Sequence, residues 1–348
     1  MGALKLLGRG GPRPLLDGSG RPIPGSISEK VFVSINGMRQ GMFIQSKDPA
    51  HPVLLFLHGG MPEYFLTERY PTGLENDFTV AWWEQRGAGL SYGPGIPPET
   101  MTLEQFIADT LSVTSYLRDR FGQEKIYLMA HSGGTFIGLQ AAAQAPEPYH
   151  AYIGVAQAVS QLKSERLAWE YMRRRFAEAG DNRMVRRLDA APVTMAGGTP
   201  QAYLAVRDKA MHRLGAGTTH DMKSVLSGIF WLSLRSAQYT PAEKIRLWRG
   251  KLSSGVSALW DEMLATDLAT QVTDLALPAY FFHGTYDYTV NYQLAKDYFD
   301  RLEAPVKGFY SFDRSAHSPI LEEPEKVQRI MREDVLTATN SLADDVTR

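Results

Sequence analysis

Short runs of β-branched and aromatic residues recur along the chain, separated by stretches whose apolar positions follow a helical period. Such runs stand at 31–35, 42–45, 53–57, 78–83, 126–130, 152–156, 279–283 and 308–312. Strand-length runs alternating with helix-length segments are the pattern of parallel strands joined by helical crossovers. The fold class predicted is therefore α/β, a mostly parallel sheet flanked by helices. Between the first two runs, Asn36-Gly37 favours a tight turn and an antiparallel hairpin. Thr102 with Gln105 three residues on reads as a capping box, and Phe106, Leu111, Val113, Tyr116 and Leu117 supply the apolar positions of the helix it opens.

From about Gln161 to about Lys251 the pattern changes. Basic amphipathic segments at 165–179, 202–213 and 223–236 replace the strands, broken by Ala196-Gly197-Gly198-Thr199-Pro200 and by the polar stretch 215–219. Three parts are expected: residues 1–160 and 252–348 as the two portions of one α/β core, and 161–251 as an inserted helical lid. The length of 348 residues fits that division, since it exceeds what one hydrophobic core usually holds.

Charge narrows the class of partner. Lys and Arg total 37 against 38 Asp and Glu, so the chain has no electrostatic footprint for nucleic acid or an anionic membrane surface. A small-molecule partner is expected, with no nucleic acid and no membrane, and the oligomeric state stays open. The absence of cysteine removes disulfides, thiolate metal sites and a cysteine nucleophile together. Gly8, Gly10, Gly11, Pro12 and Pro14 break the apolar run of residues 1–16 before signal-peptide length, and no apolar stretch reaches the ~20 residues of a spanning helix. The expected location is the cytoplasm.

The chemistry concentrates at strand ends. The strand at 126–130 runs into Ala130-His131-Ser132-Gly133-Gly134 and a small-residue helix, which matches the nucleophile elbow G-x-S-x-G with alanine for the first glycine. Such an elbow needs small neighbours because its serine sits on a sharp, strained turn. It puts Ser132 at a helix N-terminus, where free N–H groups favour developing negative charge; a plain N-cap is the bland alternative. Upstream, the strand at 53–57 ends in His58-Gly59-Gly60, positioned to supply the other half of an oxyanion hole. Its donors are expected from the backbone N–H of Gly133 and that of Gly60 or Met61. An acid and then a histidine should follow the serine in chain order. Asp287, just beyond the strand at 279–283, and His317, after the strand at 308–312, fill those places; Asp313 competes with Asp287 but shares the histidine's own loop. His58, His131 and His283 sit in strand-end turns and read as structural. No H-E-x-x-H or ligand-spaced cluster is present, so no metal is expected, and Gly87-Ala88-Gly89 lacks the rest of a dinucleotide fingerprint, so no cofactor is expected either.

Taken together, His58-Gly59-Gly60, the segment Trp83-Glu84-Gln85-Arg86-Gly87-Ala88-Gly89-Leu90-Ser91, the Ser132 elbow, the turn at 284–287 and His317-Ser318-Pro319 resemble the α/β-hydrolase superfamily and, within it, the proline iminopeptidase-like branch. The resemblance implies a serine hydrolase with a Ser132–His317–Asp287 triad. Three positions depart from the branch's usual pattern: Met61-Pro62-Glu63 where H-G-G continues into P-G, Gly133 where the elbow has tryptophan, and Glu84 for aspartate. Peptidases of this branch hold the substrate amine with lid carboxylates. Glu165, Glu170 and Glu178 are the early-lid candidates, yet their helical spacing beside Arg166, Arg173 and Arg174 reads as a solvated, ion-paired face. The later lid offers Phe230, Trp231, Leu232, Tyr239, Trp248 and Trp260, of which Phe230, Trp231 and Tyr239 are expected to bind substrate. The expected activity is cleavage of a carboxylic ester or lactone of a bulky apolar molecule, a macrolide-type lactone included. A proline iminopeptidase-like aminopeptidase and a non-catalytic small-molecule-binding protein on the same fold are the alternatives.

Overall fold

A computed structural model of the chain describes residues 10–344. Residues 1–9, the larger part of the stretch read above for a leader, lie outside the described residues. The eight apolar runs are eight strands: β1 (Ile27–Ile35), β2 (Met38–Ser46), β3 (Val53–Leu57), β4 (Thr79–Glu84), β5 (Ile126–His131), β6 (Tyr149–Val155), β7 (Ala279–Gly284) and β8 (Lys307–Phe312). They form one sheet in the order β1-β2-β4-β3-β5-β6-β7-β8, with β2 antiparallel to both neighbours and every other pairing parallel. Asn36 and Gly37 carry φ of 45° and 76°, and Ile35 pairs with Met38 across them, as a two-residue primed turn demands.

Each residue of β3, β5 and β7 is buried, which is why these segments read as continuous apolar runs rather than alternating ones: helices cover both faces of a parallel sheet. Helix α1 (Leu103–Phe121) begins at Thr102, whose hydroxyl accepts from the Gln105 N–H at 3.3 Å. The other half of the expected capping box is missing, because the Gln105 side chain donates instead to Asp109 at 2.8 Å. Helix α2 (Gly133–Gln144) follows β5 directly.

The segment between β6 and β7 is helical: α3 (Gln161–Glu178), α4 (Asn182–Asp189), α5 (Gln201–Arg213), α6 (Trp231–Arg235), α7 (Pro241–Ser253) and α8 (Trp260–Ala265), with a π-helical turn over Leu226–Phe230. Its first half owns a separate small core of Ala168, Met172, Phe176, Leu188, Tyr203 and Ala210. The second half does not. Met222, Ile229, Tyr239 and Leu247 join Phe43, Tyr64 and Trp82 on one side of the sheet, while Val256, Leu259 and Met263 join the cluster of Phe136 and Ile137 on the other. Among the described residues, no helix is long and apolar enough to cross a membrane.

Candidate active site

In an open parallel sheet, the loops leaving the strands' C-terminal ends on either side of the order reversal converge on one crevice. Here β3 lies between β4 and β5, and the loops after β3, β5, β7 and β8 carry Gly60, Ser132, Asp287 and His317. Gly60, Met61, Ser132, Gly133 and His317 all line one cavity of about 500 Å³.

Ser132 occupies the turn from β5 into α2 with φ 54° and ψ −125°, a region that costs a non-glycine residue strain. Its N–H is fastened to the Val155 carbonyl at 3.0 Å. Close neighbours must be small: a methyl on Gly59 would lie 2.7 Å from Ser132 Cβ. Gly133, where the related elbow has tryptophan, has its side-chain space taken by Val256, whose Cγ1 lies 2.9 Å from where a Cβ would stand. The departure at Gly133 is thus matched by the segment that follows α7.

His317 Nδ1–H donates to Asp287 Oδ2 at 2.8 Å, which directs Nε2 as the free ring nitrogen. The other Asp287 oxygen accepts from the N–H groups of Thr289 and Val290 at 2.8 and 3.0 Å, and His283 Nε2 lies 3.4 Å from Oδ2. Burial pushes the Asp287 carboxyl up, but the opposing charge of His317 and the hydrogen bonds from His283 and His317 outweigh it. The group lies well below the ordinary carboxylate range. Burial holds His317 below the ordinary histidine value, against the pull of Asp287. A strained serine, a neutral histidine with one nitrogen free and an ionised acid are the parts that general-base attack on a carbonyl requires.

The loop after β3 is braced by the segment that carried the family resemblance. His58 accepts the Gln85 N–H on Nε2 at 3.1 Å and donates from Nδ1 to the Gly59 carbonyl at 2.8 Å. Burial drops its pKa to about 4, so it is neutral. Gln85 Nε2 returns a bond to the His58 carbonyl at 2.7 Å, and Arg86 forks onto buried Asp109 at 2.7 and 3.0 Å. These contacts make the 83–91 segment a buttress behind the loop after β3.

The aromatic residues expected to bind substrate stand elsewhere. Tyr239 is buried in the core cluster of Phe43 and Trp82, its hydroxyl donating to Glu84 and its ring edge-on to Phe43 at 5.2 Å. Phe230 packs edge-on between Trp231 and Trp248, and Trp231 is 44% exposed on the outer surface. None of the three lines the cavity; Ile229, Val225 and Trp260 do. Val225 and Ile229, four residues apart, share the helical face that meets the cavity, and Trp231 stands on the exposed one.

Glu165 also departs from expectation. It is fully buried, gripped by Arg207 Nε and Nη2 at 2.6 and 2.5 Å, by the Tyr203 hydroxyl at 2.7 Å and by Gln161 at 2.8 Å. Glu170 and Glu178 lie on the exposed face, paired with Arg166, Arg174 and Arg175. The cavity lining also carries Gln161, Arg207, Asp208, His212 and Lys251, none of which a local motif marks. Burial lowers the Lys251 amine below its usual value, and the Asp208 carboxyl, which burial raises, is brought below its usual value by Arg207. Among the described residues, no group of three or more His, Asp or Glu is arranged to hold a metal ion.

A family model described as alpha/beta hydrolase fold matches residues 52–324. A probable aminopeptidase, YbaC, of Bacillus subtilis (strain 168) is 32% identical over 306 residues, covering 86% of this chain and 93% of that protein. Among solved structures, a proline iminopeptidase-related protein of Thermus thermophilus superposes with a TM-score of 0.61 at 20% identity, covering 90% of this chain and 98% of that one. The 2-hydroxy-6-oxo-6-phenylhexa-2,4-dienoate hydrolase of Rhodococcus sp. strain RHA1 does so with 0.58 at 16% identity, covering 88% and 98%.

Proposed function

This chain belongs to the α/β-hydrolase fold family, and on that premise we propose that it is a serine hydrolase acting through an acyl-enzyme. The observation that carries the reading is the 2.8 Å bond from His317 to ionised Asp287 in the same cavity wall as a strained Ser132. Ser132 Oγ attacks the substrate carbonyl carbon while His317 Nε2 takes its proton. The oxyanion is held by the N–H of Gly133 and that of Gly60 or Met61, each donor contributing about 3 kcal/mol of transition-state stabilisation. The imidazolium returns its proton to the leaving group, and a water activated by His317 then releases the acyl group.

Phe230, Trp231 and Tyr239, the aromatic residues that pointed to a bulky apolar lactone, lie off the cavity. The cavity's lining supports a smaller molecule with a polar group: Met61, Val256, Trp260 and Met263 are among its apolar residues, Val256 and Met263 lying against Gly133, and Arg207, Asp208 and Lys251 are among its polar ones. Removal of an N-terminal residue is the first reading, with Asp208, which also accepts from Arg207 at 2.9 Å, as the lining carboxylate for an amine. The name of the Bacillus relative agrees. Ester cleavage is the second reading, favoured by the apolar wall next to the nucleophile. A fluorophosphonate should label wild-type protein and not Ser132→Ala; labelling that survives the substitution refutes the nucleophile. A panel of aminoacyl p-nitroanilides, p-nitrophenyl esters and macrocyclic lactones then ranks the classes. Turnover of esters or lactones with anilides inert would reverse that order.

A further inference from the structure

The loop that departs from the family pattern at Met61-Pro62-Glu63 ends in a carboxylate with a partner inside the site. Glu63 Oε1 lies 2.6 Å from His131 Nδ1, and His131 Nε2 lies 2.7 Å from the backbone carbonyl oxygen of His317. All three residues are buried, at 9%, 3% and 7% exposure, and all three line the cavity. A carbonyl oxygen only accepts, and so does an ionised carboxylate. A neutral imidazole has one N–H and would present a lone pair to one of these oxygens. With Glu63 ionised, only the doubly protonated ring satisfies both; a neutral ring would need the proton to sit on Glu63.

We propose, resting on the serine-hydrolase reading, that His131 is held as an imidazolium by Glu63 and is the positioning residue of the general base. One ring thereby spans three loops: it leaves the elbow, pairs with the oxyanion loop through Glu63 and clamps the histidine loop through the His317 carbonyl. Burial disfavours charge on both partners, but their mutual attraction prevails, raising His131 and lowering Glu63 from their ordinary values. The imidazolium also stands 4.8 Å from the His317 ring, where its charge opposes protonation of the base and counters Asp287. Other ionisable groups around the pair are neutral His58, Asp287 with His283 behind it, and Glu322, which accepts from the Ala316 N–H at 2.9 Å. From the lid, Arg207, Asp208 and Lys251 line the same cavity.

The pair is tested by the pH profile of kcat/KM on p-nitrophenyl butyrate. Replacing the ring by His131→Gln removes a positive charge beside His317, so the acid limb should move up by about half a pH unit or more, with plateau kcat about tenfold lower and KM little changed. Glu63→Gln should move the limb the same way by less, because it removes the negative partner along with the proton it holds. An acid limb that stays in place in His131→Gln, with kcat falling only as far as thermal stability does, overturns the proposal. Should either variant fail to fold, wild-type protein carrying ¹⁵N-histidine decides: one imidazole protonated on both nitrogens should persist at pH above the ordinary histidine value. If every imidazole is singly protonated there, His131 is an ordinary neutral ring and the proposal fails. That spectrum is read without turnover, whereas Ser132 labelling tests the hydrolase reading, so the two can fail separately.

Discussion

Gly59 offers the sharpest test of the geometry around the nucleophile. A methyl on its Cα lies 2.7 Å from Ser132 Cβ, 3.1 Å from Ser132 Oγ and 3.2 Å from the His131 carbonyl oxygen. Nonbonded carbons rest about 3.5–4.0 Å apart, so Gly59→Ala forces a separation of about 1 Å. None of the three atoms is the far end of a flexible side chain, and Ser132 is pinned by its strained turn and its bond to Val155. Gly59 is not among the positive-φ glycines, so the effect is contact rather than backbone conformation. Moving a reacting atom by about 1 Å costs about a hundredfold in rate, or about 2.7 kcal/mol of barrier. Overpacking should add about 1–3 kcal/mol of lost stability. Steady-state hydrolysis of p-nitrophenyl butyrate and the rate of fluorophosphonate labelling measure the first, urea denaturation the second. Gly93→Ala, whose added methyl meets open space, serves as the neutral control. A Gly59→Ala enzyme within about threefold of wild type in both assays would refute the close approach and the site built on it.

Asp287→Asn should lower kcat by about 10⁴ with KM held, since an amide cannot keep the proton on His317 Nδ1; a loss under about tenfold would move the orienting role to another acid. Glu165→Gln leaves the Arg207 guanidinium without its buried carboxylate and should cost about 2–5 kcal/mol in urea unfolding; a loss under about 1 kcal/mol would mean Asp208 alone suffices. Burial pushes the Glu84 carboxyl up to about 8, so the folded state binds a proton the unfolded state releases above its own value near 4.5. Stability from this group is full below about pH 4.5 and is lost as pH rises towards about 8. Glu84→Gln should flatten that decline in pH-resolved thermal melts, and a decline identical to wild type would show that Glu84 is ionised when folded.

Local pattern carried much of this protein's architecture. Strand runs such as 53–57 and 126–130 were legible because parallel strands covered on both faces must be apolar throughout. The Asn36-Gly37 hairpin was legible because few dipeptides adopt two positive φ angles. Ser132, Asp287 and His317 could be singled out as candidates because each follows a strand's C-terminal end, and the topology brings such ends to one crevice. Which side chains of the helical segment between β6 and β7 meet the cavity was decided only in three dimensions. Amphipathic spacing says that a helix has an apolar face, not what that face packs against. Tyr239 could thus be spent on Glu84 and Phe43 while Trp260, from the same aromatic set, took the cavity wall. The polar partnerships were equally out of reach. Glu165 meets Arg207 across 42 residues and Glu63 meets His131 across 68, and no local motif marks either pairing. A charge's worth depends on what surrounds it once folding has removed the water, and no window of sequence contains the surroundings.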